Sequence, residues 1–256
     1  MLRVHCLQLF YNLSDPGMED ALYEIESMRR FAGLRLSERL PDETTILNFR
    51  HFLEAHKLGK ALFEEINRHL KAQNLIFREG TIVDATIISA PSSTKNESGT
   101  RDPEMHQTRK GQQWFFGMKL HIGVDAALGL IHSLETTPAN ASDINHAHQL
   151  LHGEEDRVWA DAGYTGADKR EECQGVDWRV ALRPGLRAQL APTSRLARLE
   201  KTKASVRAKV EHPFRYIKRV FGYDKVRYRG LAKNENRLHL LAGFTNLLIG
   251  RKYMLA

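Results

Sequence analysis

Eight residues, Thr81-Ile82-Val83-Asp84-Ala85-Thr86-Ile87-Ile88, restrict the fold more than any other stretch of this chain. They form a β-branched, apolar run with one carboxylate at its middle, which predicts a strand buried in a sheet. An ionised Asp84 is costly there unless a cation or hydrogen-bond donors compensate it. Downstream, residues 91–113 read as a polar loop carrying Lys95, Arg101, Arg109 and Lys110. Residues 116–124 and 130–136 read as strands joined by the hairpin turn Asp125-Ala126-Ala127-Leu128-Gly129. Asp143 is placed to cap a short helix reaching residue 151. A strand at 157–161 runs into the glycine-bearing turn Ala162-Gly163-Tyr164-Thr165-Gly166. A fifth strand covers 178–182, and helices follow at about 203–221 and 234–250. The pattern predicts an α/β fold, a mixed sheet with flanking helices.

Residues 1–75 have a different texture and predict a small helical N-terminal region, leaving 76–256 for the sheet. Asp15-Pro16-Gly17-Met18-Glu19 supplies a turn and N-cap, followed by Leu22, Ile25, Met28 and Phe31 at helical spacing. A second helix starts near Pro41-Asp42-Glu43-Thr44-Thr45, with Ile46, Phe49, Phe52 and Leu53 inward. A third carries Leu58, Leu62, Ile66 and Leu70. Residues 1–80 hold 11 basic and 12 acidic side chains. That balance suits a packing unit better than a helix-turn-helix DNA reader.

The formal charge of +7 is unevenly spread. Residues 194–256 hold 16 Lys and Arg against Glu200, Glu211, Asp224 and Glu235. A basic face concentrated in one quarter of the chain suggests a polyanion partner, although solvated surfaces are also rich in Lys and Arg. The most apolar stretch, residues 238–250, contains His239, Thr245 and Asn246 and is short for a bilayer span. Residues 1–13 do not form a convincing signal peptide. Cys6 and Cys173 provide no disulfide framework and no familiar zinc-ligand spacing, so the expected compartment is a reducing cytosol.

Three carboxylates stand apart from the charged surface. Asp84 lies inside one apolar strand, and Asp161 closes another. Glu211 is the one acid between Lys201 and Tyr223, in a basic helix. An oxygen-only set suits Mg²⁺ or Mn²⁺ better than Zn²⁺. Such carboxylates can hold two ions roughly 4 Å apart, one beside the attacking and one beside the leaving oxygen of a phosphodiester. At roughly 100° per residue, Arg207, Arg215 and Lys218 share the helix face of Glu211. That face fits phosphate-holding cations or a surface salt-bridge cluster. Pro213 predicts a kink beside it.

Three strings, Val83-Asp84-Ala85-Thr86-Ile87-Ile88, Ala160-Asp161-Ala162-Gly163-Tyr164-Thr165-Gly166 and Arg207-x3-Glu211-His212-Pro213-Phe214-x3-Lys218, resemble the DDE transposases of bacterial insertion sequences. The last matches the R-x3-E-x6-K signature of one branch of them. Pro91-Ser92-Ser93-Thr94-Lys95-Asn96 and Arg101-Asp102-Pro103-Glu104-Met105-His106-Gln107-Thr108-Arg109-Lys110-Gly111 look like the same branch, so the similarity covers nearly the whole chain.

The resemblance implies a ribonuclease-H-like core, Mg²⁺-dependent DNA cleavage at element ends and strand transfer into target DNA. It assigns catalysis and metal ligation to Asp84, Asp161 and Glu211. Double-stranded DNA, both element ends and target, is the implied partner. A homodimer or higher assembly on DNA and a bacterial cytoplasmic, nucleoid-associated location are also expected. No nucleotide cofactor is expected, because the exchange of one phosphodiester for another is nearly isoenergetic and no G-x-x-x-x-G-K-[ST] loop occurs. DNA contacts are expected from Arg207, Arg215, Lys218, Lys119 and Arg109. Tyr164 is expected either to touch the scissile phosphate or to shape its turn.

Two other readings stay open. One is a hydrolytic nuclease of the same fold. The other is a catalytically silent, DNA-binding or dimerising inhibitor, since family members usually carry several dozen residues ahead of the segment that begins here at Met1. Asp125 is accounted for by its hairpin turn and Asp143 by its helix cap. Trp114, Phe115 and Phe116 are expected in the core, with stacking on a splayed base as the alternative. His146 and His148 are expected on the polar surface.

Overall fold

The computed structural model describes residues 1–76, 80–97 and 99–254. Its centre is β1 (Gly80–Ser89), the apolar run around Asp84. On one side β1 pairs antiparallel with β3 (Gln113–Asp125), and on the other it pairs parallel with β5 (Arg157–Ala160). β5 in turn pairs parallel with β6 (Asp177–Val180). The far edge of β3 is shared: β2 (His106–Lys110) covers its first residues and β4 (Ile131–Pro138) the remainder. This mixed six-stranded sheet with helices on it is the ribonuclease-H-like arrangement that the resemblance implies.

β2 falls inside the segment expected to be a loop. Its sequence His106-Gln107-Thr108-Arg109-Lys110 has no apolar alternation, and most of its side chains are exposed. The backbone ladder to β3 and a turn at Gly111, where φ is 62°, make it a strand. The basic helix also starts earlier than expected. Ser194 accepts the Ala197 N–H at 3.1 Å and opens α7 (Arg195–Arg207), well before residue 203. The last helix, α9 (Leu231–Met254), extends beyond its expected limits at both ends. Among the described residues no helix is long and apolar enough to cross a membrane.

Five helices precede the sheet: α1 (Leu2–Phe10), α2 (Asp15–Glu24), α3 (Glu26–Ala32), α4 (Glu43–Ala55) and α5 (Leu58–Ala72). Ser14 and Asp42 cap α2 and α4 through bonds from Gly17 N–H and Thr45 N–H. The helix expected to run from Leu22 to Phe31 breaks at Ile25, which is extended. The Arg29 guanidinium donates to the Leu22 and Tyr23 carbonyls at 2.8 and 2.6 Å, satisfying the C-terminal turn of α2. The break leaves Ile25 and Phe31 exposed, and Phe52 on α4 is exposed as well.

Period-2 alternation sends Ile82 and Ile88 of β1 to one face of the sheet and Val83 to the other. The first face packs against Phe63 of α5, Leu238 and Leu241 of α9, and Val210, Phe214, Ile217 and Phe221 of the basic helix. The second face packs on Ala147, Leu150 and Tyr164. A third cluster, with Val4, Met18, Leu22 and Ile46, ties α1, α2 and α4 together. Asn246, which interrupts the apolar run of α9, is fully buried. Its side chain accepts the Ile131 N–H at 2.7 Å and donates to the Ile131 carbonyl at 2.6 Å, which docks α9 on β4.

Candidate active site

β5 ends one residue before Asp161, and its ladder with β1 stops where Ala160 faces Val83. Asp84 is the next residue of β1, so the edge of the sheet opens at this carboxylate. The gap closes again at Ser89, whose N–H and carbonyl bond to Asp224 and Val226. Between these points lies a cleft of about 410 Å³, at the carboxyl end of a parallel strand, where open α/β sheets present ligand-binding groups.

Asp84, Asp161 and Glu211 all line this cleft, contributed by β1, the turn after β5 and the basic helix. Asp161 accepts the Gly163 N–H at 2.8 Å as cap of a 3₁₀ turn (Ala162–Tyr164). A Cβ on residue 163 would lie 2.9 Å from that Asp161 oxygen, so a larger residue there would push the carboxylate aside. Glu211 opens α8 (Glu211–Arg215), directly after a 3₁₀ turn (Ala208–Val210) that follows α7. The tightened turn accommodates Pro213 without ending the helical run. Val210, Phe214, Ile217 and Phe221 anchor this run in the core and leave exposed Glu211 facing the cleft.

The three acids are not neutralised by their surroundings. None forms an ion pair among the described residues; Asp84 accepts one bond, from the Ala85 N–H at 2.8 Å. Burial raises the Asp84 pKa most; the Ala85 bond and Arg207 pull it down, Asp161 and Glu211 push it up, and together they bring it to about 6. Such a set fits divalent cations: the donors are all oxygens, and none of them is in an ion pair among the described residues. The three oxygens do not all lie within 4.8 Å of one another, because the one trio that tight among the described residues is His132, His152 and Glu155.

The cations divide into two groups. Arg207, Lys119 and Arg109 line the cleft, joined by Lys110 and Thr108 of the unexpected β2. Arg109 also donates to Gln112 Oε1 and the Gly111 carbonyl. Arg215 is exposed and does not line the cleft. Lys218 is drawn onto β1, where its ammonium donates to Thr86 Oγ1 at 2.6 Å and the Ile87 carbonyl at 2.7 Å. A π-helical turn (Tyr216–Val220) shifts Lys218 from its place on a regular wheel. Its ammonium therefore serves the open strand edge, satisfying a carbonyl that β5 does not reach.

Other expected roles change with the structure. Tyr164 is fully buried in the second core, with its hydroxyl unpartnered among the described residues; burial and the nearby cleft acids Asp143, Asp84 and Asp161 raise its pKa. Asp143 does not cap its 3₁₀ helix (Asp143–Leu150); it lines the cleft and pairs with Lys119 at 2.8 Å. Asp125 does organise its turn, accepting the Ala127 and Leu128 N–H groups. Trp114 is 64% exposed beside the β2–β3 turn rather than in the core. His146 is half-buried, bonded to Glu135 at 3.1 Å, and its ring centroid lies 5.2 Å from that of His121. The signal that could have found Asp143 is its pairing with Lys119, which depends on β3 and the 3₁₀ helix meeting in space.

Comparison with known proteins agrees with this architecture. Residues 76–247 match the family described as Transposase DDE domain, and residues 1–52 match that described as Transposase domain (DUF772). No solved structure matches the chain. With the first match spanning well over half of its length, the chain belongs to the DDE transposases of insertion sequences.

Proposed function

We propose that the cleft cuts DNA at the ends of a mobile element and joins the freed ends to target DNA, using Mg²⁺ or Mn²⁺. In the first step a water oxygen bonds to the scissile phosphorus, the bond to the 3′-oxygen breaks, and a 3′-hydroxyl and a 5′-phosphate result. In the second step that 3′-hydroxyl bonds to a target phosphorus and displaces the target's own 3′-oxygen. One phosphodiester replaces another, so no nucleotide hydrolysis is needed.

Asp84, Asp161 and Glu211 would hold the cations, which when bound supply Lewis acidity at the phosphoryl oxygen and lower the pKa of the attacking water. Arg207 and Lys119 face the same space and would hold the phosphate backbone, with Asp143 restraining Lys119. Arg109, Lys110 and exposed Trp114 extend the surface along the β2–β3 hairpin, a platform for a strand and a stacked base. The catalytic unit is assigned to residues 76–256 and the helical region to 1–75, acting as a dimer or larger assembly on double-stranded DNA in the bacterial cytoplasm.

The observation that carries this reading is the convergence, on one notch in the sheet edge, of three unpaired carboxylates from three separate elements. The test is Asp84→Asn, assayed for Mg²⁺-dependent nicking of DNA bearing the element ends and for DNA binding in the same buffer. Binding is expected to persist while nicking disappears; a variant that still nicks refutes the assignment. Supplying pre-cut ends separates transfer from simple hydrolysis, because a nuclease would yield no joined product.

A further inference from the structure

We propose that His132, His152 and Glu155 form a zinc-binding site with three protein ligands, at the opposite end of β1 and β5 from the carboxylate cleft. One ligand atom from each lies within 4.8 Å of the other two. His152 Nε2 stands 3.5 Å from Glu155 Oε1 and, though buried, makes no hydrogen bond among the described residues. The two imidazole rings meet edge to face with centroids 4.9 Å apart. Thr81 Oγ1 lies 3.0 Å from His132 Nε2 and 3.2 Å from Glu155 Oε1, so a hydroxyl occupies the side of the cluster nearest β1.

The fold builds this convergence deliberately. The β3–β4 ladder shifts register between Gly123 and Val124, which leaves His132 as the extra residue between Ile131 and Ser133. Bulges of this kind re-aim a side chain. Gly123 makes room beneath it: a Cβ there would overlap the Leu150 carbonyl oxygen and lie 2.8 Å from His132 Cε1. Glu155 is 5% exposed and accepts the His152 and Gly153 N–H groups at 2.6 and 2.8 Å, curling its own loop around the carboxylate. No lysine or arginine pairs with it among the described residues.

Two imidazoles and one carboxylate are a familiar zinc donor set and a poor one for Mg²⁺, which prefers oxygen and water. Burial also keeps His132 neutral, its pKa pushed down to about 3. Ser133 Oγ sits 2.9 Å from His132 Nδ1, the outer partner that directs Nε2 inward. Ligation through His152 Nε2 puts that ring's proton on Nδ1 and opens the 3.2 Å bond from Glu154 N–H. A bound ion would fasten β4 to the connection entering β5, taking His132 Nε2 from its present contact with the Thr81 hydroxyl.

The full chain, freed of metal and returned to buffer containing Mg²⁺, is titrated with Zn²⁺ alone, and binding and melting temperature are followed together. Wild type is expected to take up Zn²⁺ tightly and to melt higher with it. Asp84→Asn should do the same. His152→Ala and Glu155→Gln should each bind at least about tenfold more weakly, the lower bound set by losing even an outer-shell partner, and should lose the melting shift. Glu155→Gln keeps the side-chain shape and serves if His152→Ala does not fold. Wild type that melts alike with and without Zn²⁺, or both substituted chains binding as wild type does, overturns the proposal. So does loss of the effect in Asp84→Asn, which would locate the ion in the cleft.

Discussion

Asp84 and Glu155 are both carboxylates sunk beside β1, yet their surroundings differ. Glu155 receives two backbone N–H groups and the Thr81 hydroxyl. Asp84 receives a single N–H, from its own neighbour, and faces two further acids. Neutral donors from its own loop and from β1 hold Glu155 beside two imidazoles, whereas the notch around Asp84 gathers two further acids and leaves several charges for something else to satisfy. A carboxylate that its own fold does not compensate is a mark of a site built for a ligand.

The largest expected consequence of that contrast is catalytic. Removing the Asp84 charge should cut the rate of DNA cleavage by at least about 1,000-fold, since Lewis-acid stabilisation is worth several kcal/mol. Single-turnover cleavage measures it, and a loss under tenfold would put the decisive carboxylate elsewhere. Glu155→Ala strands two N–H groups and a hydroxyl and should lower stability by about 3 kcal/mol, read from urea unfolding. A cost below about 1 kcal/mol would erase the contrast.

The same comparison gives Asp84→Asn the opposite sign in stability. With divalent ions chelated at pH 7.5, it should be more stable than wild type by roughly 1–2 kcal/mol, after discounting for partial solvation. The folded pKa of about 6 lies above the ordinary value of 3.8, so the wild-type penalty is full above pH 6 and gone below pH 3.8. The difference in unfolding free energy should therefore shrink as pH falls through that window. A difference that is constant with pH would mean that Asp84 is not the titrating group.

Smaller effects distinguish the cations. Lys218→Met breaks two bonds to β1 and should cost about 1 kcal/mol of stability while leaving the salt dependence of DNA binding unchanged. Arg109→Ala should leave stability alone and flatten that salt dependence by about one phosphate contact. Exchange of these two outcomes would reverse the roles assigned here.

The central strand and the three acids were legible because each acid interrupts a pattern: Asp84 and Asp161 in apolar runs, Glu211 in a basic one. Mixed sheet and flanking helices followed from the same periodicities. β2 was not legible, since its five polar residues are held by backbone pairing alone. Asp143 resembled an ordinary cap because its partner Lys119 lies 24 residues away. His132, His152 and Glu155 share no motif spacing, and Glu155 sits in the run Glu154-Glu155-Asp156, which reads as solvated surface. A bulge and a curled loop bring them together, and neither has a sequence period.

The widened turn at Tyr216–Val220 carries one residue more than a regular spiral of the same length would use, with Phe221 N–H reaching back to the Tyr216 carbonyl. Excising a single residue there would let the coil relax to its usual pitch while leaving what lies beyond it in nearly the same place. The change would fall on the turn itself, where Lys218 would move off the position from which it reaches Thr86 and Ile87. A one-codon deletion would thus spare the wall that the three acids stand on and unfasten one clasp of the open strand edge, which makes this small irregularity a stored residue that places a single ammonium.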